Sequence, residues 1–334
     1  MAYCDVDLAL SSGTPDDDSH HIGTAEGDRV MNKTSIISAA ALLALAGLSF
    51  AQPPGITREM IERALPIEGA PLAVPGPYAI TSETAFGSPG HVLFRPTNLD
   101  AFPKNDTLPL MVWGNGGCAI ESKRYSGFLT TIASHGFLVM GTTAQEGAAR
   151  RQATADDLRA AIDWAEKENA RDGSPLKGKI ATDRVAVMGQ SCGGFLSIAL
   201  GADPRVKTIG VFNSGVQPPN PDAPGPGFPT TDALPKLHGP VLLINGHEPD
   251  FMMATSKATF DAIDHVPAFY GARHNAGHTA TVFHPGGGEY ANVASNWLLW
   301  TFKRDKKAGA MFVGKNCGLC TNANWDVQSK GIKG

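Results

Sequence analysis

The stretch Arg184-Val-Ala-Val-Met-Gly-Gln-Ser191-Cys-Gly-Gly-Phe-Leu-Ser-Ile-Ala-Leu200 decides the fold. Arg184 to Met188 is a short apolar run of strand length, and Gly193 to Gly201 is a small-residue run that reads as a helix. Between them stands Gly189-Gln190-Ser191-Cys192-Gly193, a G-x-S-x-G. As a bare string it is weak, since roughly 0.2 matches arise by chance in a chain this rich in glycine. Its setting carries the weight. A strand that turns sharply into a helix strains the turn and lifts the central hydroxyl clear of the sheet. The helix N-terminus aims backbone N–H groups at the same spot. Glycine flanks suit a turn where strand and helix leave no room for Cβ. The alternative is a glycine-rich turn with a purely structural role.

Outward from this turn the same pattern repeats. Leu108-Pro-Leu-Met-Val-Trp113 is a second buried strand, ending in Gly114-Asn-Gly-Gly117. Tyr125–Ser134 suits a helix and Gly136–Thr142 a strand. Ala153–Asn169 puts Leu158, Ala161, Ile162 and Ala165 on one face of an amphipathic helix. Strands follow at Thr208–Asn213, Pro240–Asn245 and Pro267–Gly271, and Ala291–Lys303 makes a closing helix. His91–Arg95 alternates like a strand, and a short helical stretch lies near Arg58–Ala64. Strands alternating with helices predict an α/β fold with a mostly parallel central sheet and helices on both faces. Ser214–Gly239 holds seven prolines. That density is too high for a helical cap, so no large cap domain is expected, and the segment is placed along one rim of an open cleft.

A serine at such a turn needs a base, an orienting acid and donors for the developing oxyanion. Cys192, the next residue, supplies one backbone N–H. The second is expected from the turn after the earlier strand, at Asn115 or Gly116, between which the sequence does not choose. The usual chain order is serine, acid, histidine. Past the strand ending at Asn245 comes Gly246-His-Glu-Pro-Asp250, so the acid is Asp250, with Glu248 as the alternative. Of the later histidines, His278 lies on a Gly-containing loop before the last helix and is the expected base. His274 and His284 are alternatives, and His265 reads as a solvated loop residue. Gly114-x-Gly116-x-x-Ala119 also fits a loose dinucleotide fingerprint, but Gly136–Thr142 carries no acid at its end to hold a ribose. Neither a cofactor nor a metal is expected, and adjacent His20 and His21 read as solvated.

The 334 residues carry 18% charged side chains and a net charge of −4. Disorder throughout and a small disulfide scaffold are excluded, and no basic excess points to nucleic acid. The charge is unevenly placed. Residues 1–30 hold seven acids and one base without apolar periodicity, the pattern of a disordered upstream extension. Met31-Asn-Lys33, the apolar run to Phe50 and Ser49-Phe-Ala51 then form a signal peptide over 31–51, making Met31 the expected start. The apolar run is too short for a membrane span. What remains is a single domain over 52–334 with a C-terminal tail from about 305, near +1 in charge, secreted or periplasmic. Its oligomeric state is not legible.

Cys118, Cys192, Cys317 and Cys320 stay in that exported part, where an even count predicts disulfides. Cys317-Gly-Leu-Cys320 reads as a local disulfide. Cys118 and Cys192 sit on the two segments expected to meet at the oxyanion site, so a bond there is one of the three connectivities that four cysteines allow.

Taken together, Ala133-Ser-His-Gly-Phe-Leu-Val139, Asp156-Asp-Leu-Arg-Ala-Ala-Ile-Asp-Trp164, Val185–Ser191 and the Asp250 and His278 segments resemble the α/β-hydrolase superfamily over about 75–305. They are most similar to its secreted branch of cutinase-like polyester hydrolases and related dienelactone-hydrolase-like and chlorophyllase-like lipases. The resemblance implies a Ser191–His278–Asp250 triad and metal-free hydrolysis of a small or polymeric ester. Polyester hydrolases tend to have Met after the nucleophile and an aromatic first oxyanion donor, where this chain has Cys192 and Asn115. A peptidase or acyltransferase would use the same triad. A non-catalytic hydrolase-fold binding protein would have lost a member of it.

Overall fold

The computed structural model describes residues 67, 69–104, 106–149, 151–220 and 228–334. The upstream extension, the signal peptide, His20, His21 and the helix near Arg58–Ala64 lie outside the described residues. Among the described residues nine strands form one sheet: β1 Ile80–Thr84, β2 His91–Pro96, β3 Leu108–Gly114, β4 Leu138–Thr142, β5 Ile180–Gln190, β6 Val206–Phe212, β7 Val241–Gly246, β8 Ala268–Arg273 and β9 Trp325–Lys330. Their order is β1-β2-β4-β3-β5-β6-β7-β8-β9. β3 to β8 run parallel. β1, β2 and β9 are antiparallel. The helices are α1 Ser126–Ser134, α2 Ala155–Ala170, α3 Cys192–Leu200, α4 Met253–Ala262, α5 Gly288–Lys303 and the short α6 Lys306–Gly309.

Side chains alternate across each strand, so a strand buried throughout serves two cores. In β3 every residue is buried. Leu110 and Val112 pack with Leu158, Ile162, Leu196 and Ile198 under α2 and α3. Met111 and Trp113 pack with Phe128, Ile132, Tyr290 and Trp297 under α1 and α5. This is the expected two-faced sheet. Thr154 and Asp157 form a reciprocal cap that starts α2, satisfying backbone N–H groups that the first helical turn leaves without a partner.

β1, α4, α6 and β9 extend the expected set. β1 pairs outside β2. α4 buries only Ser256, Thr259 and Phe260, too little apolar surface to show a helical period. β9 lies inside the stretch read as a tail and completes the sheet, with Ala268 opposite Lys330 and Arg273 opposite Trp325. Only Trp325 of β9 is fully buried. An edge strand of this kind pairs through its backbone and needs no apolar run. Its Lys330 Nζ donates to the carbonyls of Phe260, Asp261 and Ile263 at 2.8, 3.0 and 2.9 Å, a cation at the C-terminus of α4. Among the described residues of the Pro-dense excursion, the one helical element is the 3-10 turn Thr231–Lys236. No helix among the described residues is long and apolar enough to cross a membrane.

Candidate active site

The carboxyl ends of parallel strands gather loops at one edge of the sheet, and binding sites of open α/β sheets form there. Asn115, Ser191, Asn213, Asp250 and His278 all follow strands, on the loops after β3, β5, β6, β7 and β8. Ser191 has φ 54° and ψ −121°. For a residue with a Cβ this left-handed backbone is strained, and it is the sharp strand-to-helix turn that the motif predicts. The glycines around it let backbones touch. A Cβ on Gly114 would lie 2.9 Å from the Cα of Gly193, and one on Gly193 would overlap the Gly114 carbonyl.

The structure brings the expected triad residues together. Ser191 Oγ is 2.8 Å from His278 Nε2, and His278 Nδ1 is 2.9 Å from Asp250 Oδ1. Asp250 also accepts from Asn213 Nδ2 at 2.7 Å, from the Gly246 N–H at 3.2 Å and from the Met252 N–H at 3.0 Å. Every one of these other partners is a donor. A carboxylate so surrounded accepts on both oxygens, which assigns the imidazole proton to Nδ1 and leaves Nε2 free to accept from Ser191. The Asp250 side chain has no solvent exposure and that of His278 has 9%. The Phe251 ring stacks on His278 with centroids 4.0 Å apart.

The alternatives go elsewhere. Glu248 is exposed. His274 turns away, its Nε2 3.0 Å from Asp326. His265 Nε2 lies 2.8 Å from the Leu237 carbonyl oxygen. His284 precedes the turn into α5, and burial lowers its pKa. Of the two oxyanion donors left open, the Gly116 N–H is committed to Tyr125 Oη at 2.8 Å. Asn115 is fully buried, and its side chain donates inward to Ala119 O and Ser122 Oγ at 2.7 and 3.0 Å. That bonding fixes the start of the turn that follows β3. The Gly114-x-Gly116 segment runs into the 3-10 turn Gly116–Cys118, not the long helix that a dinucleotide fingerprint opens.

Several contributors escaped the sequence reading. Tyr125 Oη donates 2.9 Å to Gln190 Oε1, and Gln190 Nε2 donates 2.9 Å to the His278 carbonyl, which links the turn after β3 to the loop carrying His278. Burial pushes the Tyr125 phenol up to about 12. Asn213 was visible only as a polar residue at the end of an apolar strand, and Phe251 only as an aromatic beside the acid. Cys118 and Cys192 are disulfide-bonded, as are Cys317 and Cys320. The group among the described residues that could hold a metal ion is His247, His274 and Asp326, whose ligand atoms lie within 4.8 Å of one another.

A largely parallel sheet carrying a serine on a strained strand-to-helix turn defines an α/β hydrolase. Residues 66–280 match the PETase family, described as PET hydrolase-like, and the chain belongs to that family. It is accordingly an ester hydrolase of the α/β-hydrolase type. No curated protein matches the chain.

Proposed function

We propose that the protein is a secreted serine esterase that works through an acyl-enzyme. The observation that carries this reading is the unbroken hydrogen-bond chain from Ser191 Oγ through both nitrogens of His278 to Asp250. His278 Nε2 takes the Ser191 proton as Oγ attacks the ester carbonyl, and Asp250 stabilises the imidazolium that forms. The backbone N–H groups of Asn115 and Cys192 receive the oxyanion, Asn115 being chosen because the Gly116 N–H already has a partner. His278 next gives its proton to the departing alcohol, then activates the water that releases the acid. Export is supported by the leader-like run at 31–51 and by two disulfides, which persist in oxidising compartments.

The family and the site support carboxylic esters as the substrate class, whether small or polymeric. Cys192 and Asn115 stand where polyester hydrolases tend to carry Met and an aromatic residue. Turnover of p-nitrophenyl esters of graded chain length, with labelling by a fluorophosphonate, tests the reading. Ser191→Ala is expected to abolish labelling and lower kcat by about 10⁴- to 10⁶-fold with the fold intact. Labelling that persists in Ser191→Ala would sink it.

A further inference from the structure

Asn115 is bracketed by two ties to α3. On its N-terminal side Gly114 packs directly on Gly193. On its C-terminal side Cys118 is bonded to Cys192, their Cα atoms 5.1 Å apart. Cys192 directly follows Ser191 and opens α3, while Cys118 closes the turn that begins after Asn115. The turn is not one that the chain adopts freely. Gly117 has φ 64°, and Cys118, which carries a Cβ, has φ 48°. Such a conformation persists only where its surroundings impose it. Here the Ala153 N–H donates 2.8 Å to the Cys118 carbonyl, and the disulfide supplies the covalent constraint. Both half-cystines are buried, at 2% and 8% exposure, so the bond sits inside the wall of the site.

We infer that the Cys118–Cys192 disulfide is a positioning clamp for the oxyanion hole, joining the two segments whose N–H groups stabilise the tetrahedral intermediate. This rests on the serine-esterase reading above. Oxyanion donors act only when they stand roughly 2.7–3.1 Å from an oxygen that gains its charge during the reaction. A turn released from α3 still admits the uncharged ester, yet its donor spends less time at that distance. The loss therefore falls on kcat and leaves KM nearly unchanged. The second disulfide joins Cys317 to Cys320 in the segment between α6 and β9, and provides the same chemistry away from the turn.

The test compares two paired variants, Cys118→Ala/Cys192→Ala and Cys317→Ala/Cys320→Ala, on p-nitrophenyl butyrate at a temperature where circular dichroism shows both folded. The first pair should lose about thirtyfold in kcat with KM within twofold. Its affinity for an aryl trifluoromethyl ketone, which forms a tetrahedral adduct with the serine, should fall by the same factor. The second pair should keep kcat within twofold of wild type. If the first pair does not fold, reducing the folded Cys317→Ala/Cys320→Ala protein with a phosphine, with thiols counted, gives the same comparison. Unchanged kcat after loss of Cys118–Cys192, or a change confined to KM, would overturn the clamp. Absence of fluorophosphonate labelling in the wild type would overturn the esterase reading instead, so the two failures are told apart.

Discussion

On the nucleophile side of the site backbone packs directly on backbone, whereas on the acid–base side the contacts are hydrogen bonds made by the side chains of Asp250 and His278. Gly114 meets Gly193 with no room for a Cβ, and Cys118 is bonded to Cys192 a helix start away. Asp250 and His278 instead stand on the loops after β7 and β8, joined to each other and to Asn213 by hydrogen bonds of 2.7 to 2.9 Å. The contrast follows from what each half does. In the proposed mechanism the oxyanion donors are backbone groups, and only the backbone's own path can aim them. The base must accept and release a proton, which calls for a side chain whose partners respond to its charge. The first half therefore rests on close backbone packing backed by one covalent tie, while the second rests on separate hydrogen bonds that can be removed one at a time.

The sharpest separation of the two halves comes from paired substitutions. Asp250→Asn keeps the shape of the acid but removes the acceptor that fixes the imidazole proton on Nδ1. We expect kcat to drop about 10⁴-fold with the melting temperature within a few degrees of wild type. Gly193→Ala touches no reacting group, yet its Cβ overlaps the Gly114 carbonyl. Its expected outcome is loss of stability by about 3 kcal/mol, at the upper end for overpacking, read by denaturant unfolding. If Gly193→Ala folded as stably as wild type, the direct backbone packing would be wrong.

Within the acid–base half the effects should grade downward. Asn213 has φ 48°, so Asn213→Gly removes the amide without straining the backbone. Asp250 then loses a hydrogen bond to a charged acceptor, of the kind worth about 1.5–3 kcal/mol. A fall of about tenfold in kcat/KM is expected, because the Gly246 and Met252 N–H groups still hold the carboxylate. An effect as large as that of Asp250→Asn would make the half as brittle as its partner.

The same contrast explains what could be read in advance. The nucleophile turn was legible because its constraints are local: glycines are required at Gly189 and Gly193, and a strand and helix flank them. The parallel sheet was legible from buried runs such as Leu108–Trp113. The acid and base were narrowed but not decided, since nothing near Glu248 or His274 in the chain excludes them. Asp250 is selected by Asn213, 37 positions away, and His278 by the reach of Ser191, 87 positions away. β9 was missed for a related reason. Its place is set by the open backbone edge of β8 rather than by apolar side chains of its own. Gln190 and Tyr125 form a third kind of case. Each looks ordinary in sequence, and they acquire a role only when β5 and the start of α1 meet.

That last pair supplies the smallest expected effect and the finest probe of how the two halves are joined. Tyr125 Oη accepts from the Gly116 N–H and donates to Gln190, whose amide holds the His278 carbonyl. Burial pushes the Tyr125 phenol up to about 12, likewise raises Tyr270 to about 12, and lifts Tyr290 well above its ordinary value. Between pH about 10 and about 12 the unfolded chain releases these protons while the folded protein keeps them. Stability therefore falls as pH rises above about 10. Tyr125→Phe should remove one of these contributions and flatten the alkaline slope, as measured by urea unfolding at stepped pH. At neutral pH the same substitution leaves the Gly116 N–H and Gln190 Oε1 without their partner, and kcat should fall only a few-fold, because the disulfide and the Gly114–Gly193 packing still hold the turn. An unchanged alkaline slope would mean that Tyr125 titrates in water. A loss of activity approaching that of Asp250→Asn would mean instead that the hydrogen-bond bridge, and not the covalent tie, aligns the two halves.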